Sequence, residues 1–185
     1  TIKTNEHILV PDSVYGSTRR FIKEEFPRLD IEYQFYNSRD IDNLENLIKK
    51  NTSVIYIETP GTYTFEIIDI EEVVRVCKKY KLKSIIDNTW ATALYFNPLE
   101  FGIDIVIEAV TKYISGHSDI MMGAIVANDK NLINLQRWTK NSGIYVSPDD
   151  VYLSLRGLRT LPLRLKQSSE NSFALAKYLE TKKEV

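Results

Sequence analysis

Apolar positions along the chain switch repeatedly between two periods. HILV (residues 7–10) is a short apolar run that reads as a strand. Residues 15–26 follow with Phe21, Ile22 and Phe26 set among Arg, Lys and Glu, the spacing of an amphipathic helix. IEYQFY (31–36) is rich in β formers and predicts a second strand. Over 40–50, Ile41, Leu44, Leu47 and Ile48 share one helical stripe, with Ser38 or Asp40 placed to cap it. SVIYIE (53–58) is nearly continuous in apolar residues, as in a strand covered on both faces. After the loop TPGT (59–62), residues 69–80 predict a helix. Its stripe is Ile70, Val73, Val74 and Cys77, and Lys78, Lys79 and Lys81 favour its C-terminal end. LKSIID (82–87), DIVIEAV (104–110) and GAIVAN (123–128) predict further strands, with Met121 and Met122 opening the last of these and belonging to the core. A helix follows from Asn131. Another begins near Pro148 and runs past Pro162, where the missing N–H and the proline ring predict a kink or a break into two.

This βα alternation predicts an α/β fold, a mostly parallel sheet flanked by helices, in a single domain over residues 1–185. No internal repeat or low-complexity stretch interrupts it. No G-x-G-x-x-G element follows a strand, which weakens a dinucleotide-binding reading.

Composition narrows the function classes. A net charge of -1 argues against a nucleic-acid partner. No apolar run approaches the roughly 20 residues that span a bilayer, and the first residues lack a signal-peptide layout. The single cysteine, Cys77, excludes an internal disulfide, sits on an apolar helix stripe and is expected to pack rather than react. These points predict a cytoplasmic protein. One Cys with His7 and His117 is too few for a Cys/His structural zinc site, and no metal is expected.

In open parallel sheets, ligands sit beyond the carboxyl ends of the strands. Three stretches with chemical potential fall there: Glu58-Thr-Pro-Gly, Asp87-Asn-Thr-Trp and Thr111-Lys-Tyr-Ile-Ser-Gly-His-Ser-Asp. Taken singly, Asp87 is as readily a turn former and Lys112 a solvated strand flank. His117 beside Ser118 and Asp119 does not make a triad, since sequence neighbours rarely present one and no G-x-S-x-G elbow exists. Trp90 and Tyr95 fit pocket lining and simple packing equally well.

ETPGTYTFEI (58–67), DNTWATALYFNPLEFGIDIVIEAVTKYISGHSDIMMG (87–123) and RGLRTLPLRLKQSSENS (156–172) resemble the pyridoxal phosphate (PLP)-dependent enzymes of cysteine and methionine metabolism, and PDSVYGST (11–18) is similar to the family's Tyr-Gly element. The Asp-Asn-Thr-Trp-Ala tract and the Glu-x-Pro-Gly loop look most like cystathionine β-lyase. The tract T-K-Y-x-x-G-H-S-D is highly specific, whereas Y-G-x-T alone is weak.

The resemblance implies roles by position. Lys112 matches the Schiff-base lysine and a catalytic base. Asp87 matches the acid paired with the pyridine nitrogen. Tyr15 matches the aromatic that stacks on the ring and assists proton transfer, and Thr111 matches a phosphate-binding hydroxyl. It implies a fold type I large domain and a carbon–sulfur lyase that takes cystathionine, a sulfur amino acid, to homocysteine, pyruvate and ammonia, in the setting of methionine biosynthesis and transsulfuration, as a homo-oligomer. A γ-lyase or γ-synthase relative and a catalytically inactive fragment remain alternatives. One departure is Ala109, where many family members carry a serine in the pattern Ser-x-Thr-Lys. The family's length is about twice this, so the chain is expected to be the central part of the cofactor domain, without the C-terminal small domain.

Overall fold

The computed structural model describes residues 1–185. The chain divides into two compact units, residues 1–108 with 124–145, and residues 109–123 with 146–185.

Unit 1 is built on a six-stranded sheet of order β2-β1-β3-β4-β5-β6. The strands are β1 (His7–Pro11), β2 (Glu32–Tyr36), β3 (Thr52–Glu58), β4 (Lys83–Asp87), β5 (Ile105–Glu108) and β6 (Ala124–Ala127). All neighbours run parallel except β5 and β6. Because successive side chains leave a strand on opposite faces, a continuous apolar strand needs cover on both. In β3, Ile55 and Ile57 enter one core with Val73 and Val74, while Val54 and Tyr56 enter another with Val10 and Ile22. The first core lies under α2 (Ile70–Tyr80) and the second under α1 (Gly16–Glu25). Asp69 caps α2 by accepting from Glu72 N, a contact worth about 1 kcal/mol. Lys81 ends the helix in the left-handed region, its N–H reaching Cys77 O and Lys78 O. Cys77 is buried and free, and burial pushes its thiol up to about 12, so it packs rather than reacts.

Three features depart from the sequence pattern. The stripe over 40–50 forms a 3₁₀ helix, Ile41–Leu47, in place of an α-helix. Ile41, Leu44 and Leu47 recur every third residue, which suits the tighter period, and Ile48 is already extended on the way into β3. β6 is a half-exposed antiparallel edge strand, and Met121 is 88% exposed, so it is not core. The short helices Pro27–Leu29, α3 (Thr92–Tyr95) and Pro98–Phe101 occupy stretches where no helix is predicted. Unit 1 closes with α4 (Asp129–Ser142), capped by Asn128 and tied to the sheet where Asn131 Nδ2 donates to Asp104 Oδ1.

Unit 2 comprises a turn-rich loop, residues 109–123, and two helices, α5 (Pro148–Leu158) and α6 (Leu161–Leu179). Ser147 caps α5 through Asp150 N. Pro162 stands in the first turn of α6, where its missing N–H costs nothing, so the expected break falls there. No helix of the chain is long and apolar enough to cross a membrane.

Candidate active site

The sheet of unit 1 has one point where the chain changes direction. From β1 it crosses to β2 on one side, then returns to place β3 on the other. Connections leaving in opposite directions open a crevice at the carboxyl ends of β1 and β3, the usual ligand position in such sheets. A depression of about 580 Å³ opens there, with Ser13, Arg19, Arg39, Thr62 and Glu66 among its lining residues.

Tyr15 lies at this point, immediately before α1, and is 46% exposed. Its backbone N–H donates to Glu58 Oε2 at 2.9 Å. Glu58 ends β3 and is buried, and its other oxygen accepts from the Thr62 hydroxyl. One carboxylate therefore joins the start of α1 to the loop after β3. Gly61 in that loop is required by space, since a Cβ there would stand 2.7 Å from Ser13 Cβ and Oγ.

Three carboxylates end adjacent strands. Glu58 is the register partner of Asp87, and Asp87 pairs with Ile107, next to Glu108. Burial, with a smaller contribution from the charge of Asp87, pushes the Glu58 and Glu108 carboxyls up. Asp87 itself is half-buried, and its Oδ1 accepts from both the N–H and the hydroxyl of Thr89. Oδ2 is left to accept from a ligand. Asn88 is fully buried beside this group, with Nδ2 donating to Phe96 O at 3.0 Å and to Glu108 Oε1 at 3.3 Å.

Thr111 and Lys112 belong to unit 2. The Thr111 hydroxyl donates to Met122 O at 3.1 Å and accepts from Met122 N at 2.9 Å, so its single hydrogen is engaged by backbone. Lys112 lies in a turn over residues 110–115, in which Ser115 N donates to Val110 O and Gly116 N to Lys112 O. Its side chain is exposed, and Nζ forms no hydrogen bond or ion pair. His117 Nδ1 lies 2.6 Å from Ser115 O and Asp119 pairs with Arg156, so neighbouring His117 and Asp119 serve separate structural contacts.

The structure thus places Tyr15 just beyond β1 and Asp87 at the end of β4, with Glu58 at the end of the intervening β3, and sets Thr111 and Lys112 side by side in unit 2. Sequence reasoning assigned no role to Glu58, although a glutamate closing an apolar strand was a signal. Ser38, expected with Asp40 as a helix cap, caps nothing: the Ile41–Leu47 helix has no side-chain cap, and the Ser38 hydroxyl lies between Asp12 Oδ1 (2.8 Å) and Glu66 Oε1 (2.6 Å). Trp90 is half-exposed and meets Phe65 edge-on at 5.4 Å.

Comparison with known proteins agrees with this fold. The profile of the Cys/Met metabolism PLP-dependent enzyme family matches residues 1–185. An L-alanine/L-glutamate racemase of Wolbachia pipientis is 44% identical over 96% of the chain and 44% of its own length. A putative cystathionine beta-lyase of Rhizobium johnstonii is 42% identical over 100% of the chain and 46% of its own. Among solved structures, MetB of Corynebacterium glutamicum superposes with a TM-score of 0.95 at 33% identity, covering 100% of this chain and 48% of that one. The cystathionine gamma-lyase of Lactobacillus plantarum, complexed with L-serine, gives 0.93 at 31% identity, over 97% and 48%. The chain spans about half the length of the curated relatives it matches. From the sheet and its switch point to the whole-length match, the chain belongs to the PLP-dependent enzymes of cysteine and methionine metabolism.

Proposed function

We propose that this chain is the cofactor-binding part of a carbon–sulfur lyase that performs β-elimination on cystathionine. The overall change is cystathionine and water to homocysteine, pyruvate and ammonia. The observation that carries this reading is Asp87: one carboxylate oxygen is held by Thr89, the other is offered to a donor, and two further carboxyls stand on the adjacent strand ends. Such a group fits a protonated ring nitrogen, which relieves the mutual repulsion of the acids. The half-exposed Tyr15 ring offers a face for stacking, and the unpaired Lys112 amine offers an anchor.

When bound, PLP supplies an electron sink for the charge that develops at the substrate Cα. Asp87 would hold the proton on the ring nitrogen. Tyr15 would stack on the ring. Lys112 Nζ would hold the cofactor and would serve as the base that accepts the proton from the substrate Cα. The Thr111 hydroxyl would be the group that binds the phosphate. Ala109 offers no hydroxyl beside it, which leaves the phosphate one hydrogen bond fewer than the Ser-x-Thr-Lys pattern would give.

The preference for β-elimination rests on the Glu58-Thr-Pro-Gly and Asp87-Asn-Thr-Trp tracts and on relatives named cystathionine beta-lyase at 37–42% identity. Racemisation is a second reading, favoured by the 44% identical relative of that name. It shares the proton-moving step at Cα and departs afterwards.

The test is to treat the purified chain with PLP and borohydride and to map the fixed cofactor. The expected label is on Lys112 and is lost in Lys112→Ala. A label elsewhere, or none, overturns the anchor. Product analysis with cystathionine and with L-alanine then separates pyruvate release from D-alanine formation.

A further inference from the structure

The turn that carries Lys112, residues 110–115, ends abruptly, and its carbonyl groups have to find partners. Within the turn, Val110 O accepts from Ser115 N and Lys112 O from Gly116 N, each at 2.9 Å, and Thr111 O accepts from Ser115 Oγ at 3.1 Å. The next two carbonyls are satisfied from α6. Arg164 Nη1 donates to Tyr113 O at 2.7 Å, and Nη2 donates to Ile114 O at 3.3 Å and to Gly157 O at 2.8 Å. Its Nε donates to Thr160 Oγ1 at 3.0 Å, which holds the guanidinium plane at the start of its own helix. One planar cation thus joins the Lys112 turn to the end of α5 and the beginning of α6, a task for a fork of donors and not for a point charge.

Two glycines clear the space for this contact. Gly116 has φ +71, and a Cβ there would lie 2.0 Å from Arg164 Nη1. A Cβ at Gly157 would lie 2.1 Å from Ser115 O and 2.5 Å from Ile114 O. The close approach of α5 to the turn and the seating of the guanidinium each depend on an absent side chain.

We infer that Arg164 is a positioning residue for Lys112: by clamping the carbonyls of Tyr113 and Ile114 it fixes the backbone from which the lysine amine reaches its target. The inference rests on the reading of Lys112 as cofactor anchor. A displacement of about 1 Å in such a group lowers reaction by on the order of a hundredfold, so a backbone clamp of this kind has consequences for chemistry as well as for stability.

The test uses the full chain and three variants. Arg164→Met removes the donors and keeps the stem, Arg164→Lys keeps the charge without the fork, and Leu165→Ala opens the core beside a neighbouring buried residue of α6. Amide hydrogen exchange at Ser115 and Gly116 is measured without cofactor, and borohydride-fixed PLP on Lys112 is measured against pH. Arg164→Met is expected to speed exchange at these two amides about tenfold or more and to cut labelling of Lys112 about tenfold. Arg164→Lys is expected to restore neither. Leu165→Ala is expected to lower the thermal midpoint and leave both readouts as in the parent chain. Should Arg164→Met not fold, Arg164→Lys carries the comparison. Equal labelling of parent and Arg164 variants overturns the positioning role alone, as does a Leu165→Ala chain that matches them in both readouts. A parent chain that takes no label at Lys112 overturns the anchor reading and the positioning role with it, whatever the exchange rates show.

Discussion

The backbone N–H of Tyr15 donates to Glu58 Oε2 over 2.9 Å, linking residues 43 positions apart in sequence. The same carboxylate receives the Thr62 hydroxyl. Glu58→Leu strands both donors in a buried place and is expected to cost about 2–3 kcal/mol. Glu58→Gln retains an acceptor for Tyr15 N–H, and its amide can donate to Thr62 Oγ1, so its cost stays below about 1 kcal/mol. Urea unfolding of the two variants measures the difference. Similar costs for both would show that the Tyr15 link contributes little.

Glu58 and Glu108 set one arm of the pH dependence. Burial raises both carboxyls above their usual 4.5. A carboxyl with a raised native value binds its proton more tightly folded than unfolded, so its contribution to stability is complete below 4.5 and declines as pH rises through the raised value. Glu58→Gln together with Glu108→Gln is expected to flatten the fall of stability with rising pH in that window, read as thermal midpoint against pH. A profile unchanged by both substitutions would remove these residues from the account.

Glu45 acts with the opposite sign. Hydrogen bonds from Lys79, Arg75 and Tyr80 hold its carboxyl down at about 2. Its contribution is present above 4.5 and is lost as pH falls toward 2. Glu45→Gln is expected to weaken the loss of stability on acidification between those values and to leave the neutral-to-alkaline side alone. Salt should reduce the effect in the parent chain, because the partners Arg75 and Lys79 are exposed.

Gly157 tests the approach of α5 to the Lys112 turn. In an ordinary helix Gly→Ala stabilises by up to about 1 kcal/mol. Here the added Cβ meets two carbonyl oxygens closer than 3 Å. Gly157→Ala is therefore expected to destabilise by about 1–3 kcal/mol, and a gain in thermal midpoint would show that α5 can shift without loss.

Much of unit 1 can be read from the chain because its signals are local. The continuous apolar run ending at Glu58 announces a strand covered on both faces, and Asp69 ahead of Ile70, Val73, Val74 and Cys77 announces a capped helix. Pro162 correctly marks the division between α5 and α6. What could not be read depends on contacts across the fold. The apolar stripe of Ile41, Leu44 and Leu47 fits an α or a 3₁₀ period, so it does not choose between them, and the apolar Met121 is 88% exposed. Candidate positions were recognised as motifs, while the groups that support them were not. Glu58 beneath Tyr15 and Arg164 against the Lys112 turn are paired by folding over separations of 43 and about 50 residues, which no spacing rule reports.

Thr111 and Met122 close a ring: the threonine hydroxyl gives a hydrogen to Met122 O and takes one from Met122 N, and Thr111 N also donates to Met122 O at 3.1 Å. The segment between them is pinned at both ends, and its first part is held again by Arg164. Its far part, from His117 to Met121, contains an ion pair from Asp119 and a methionine turned to the outside. Ile120 in that part is buried, so the far part is fixed as well, and the lysine stands on a loop closed like a staple at both ends.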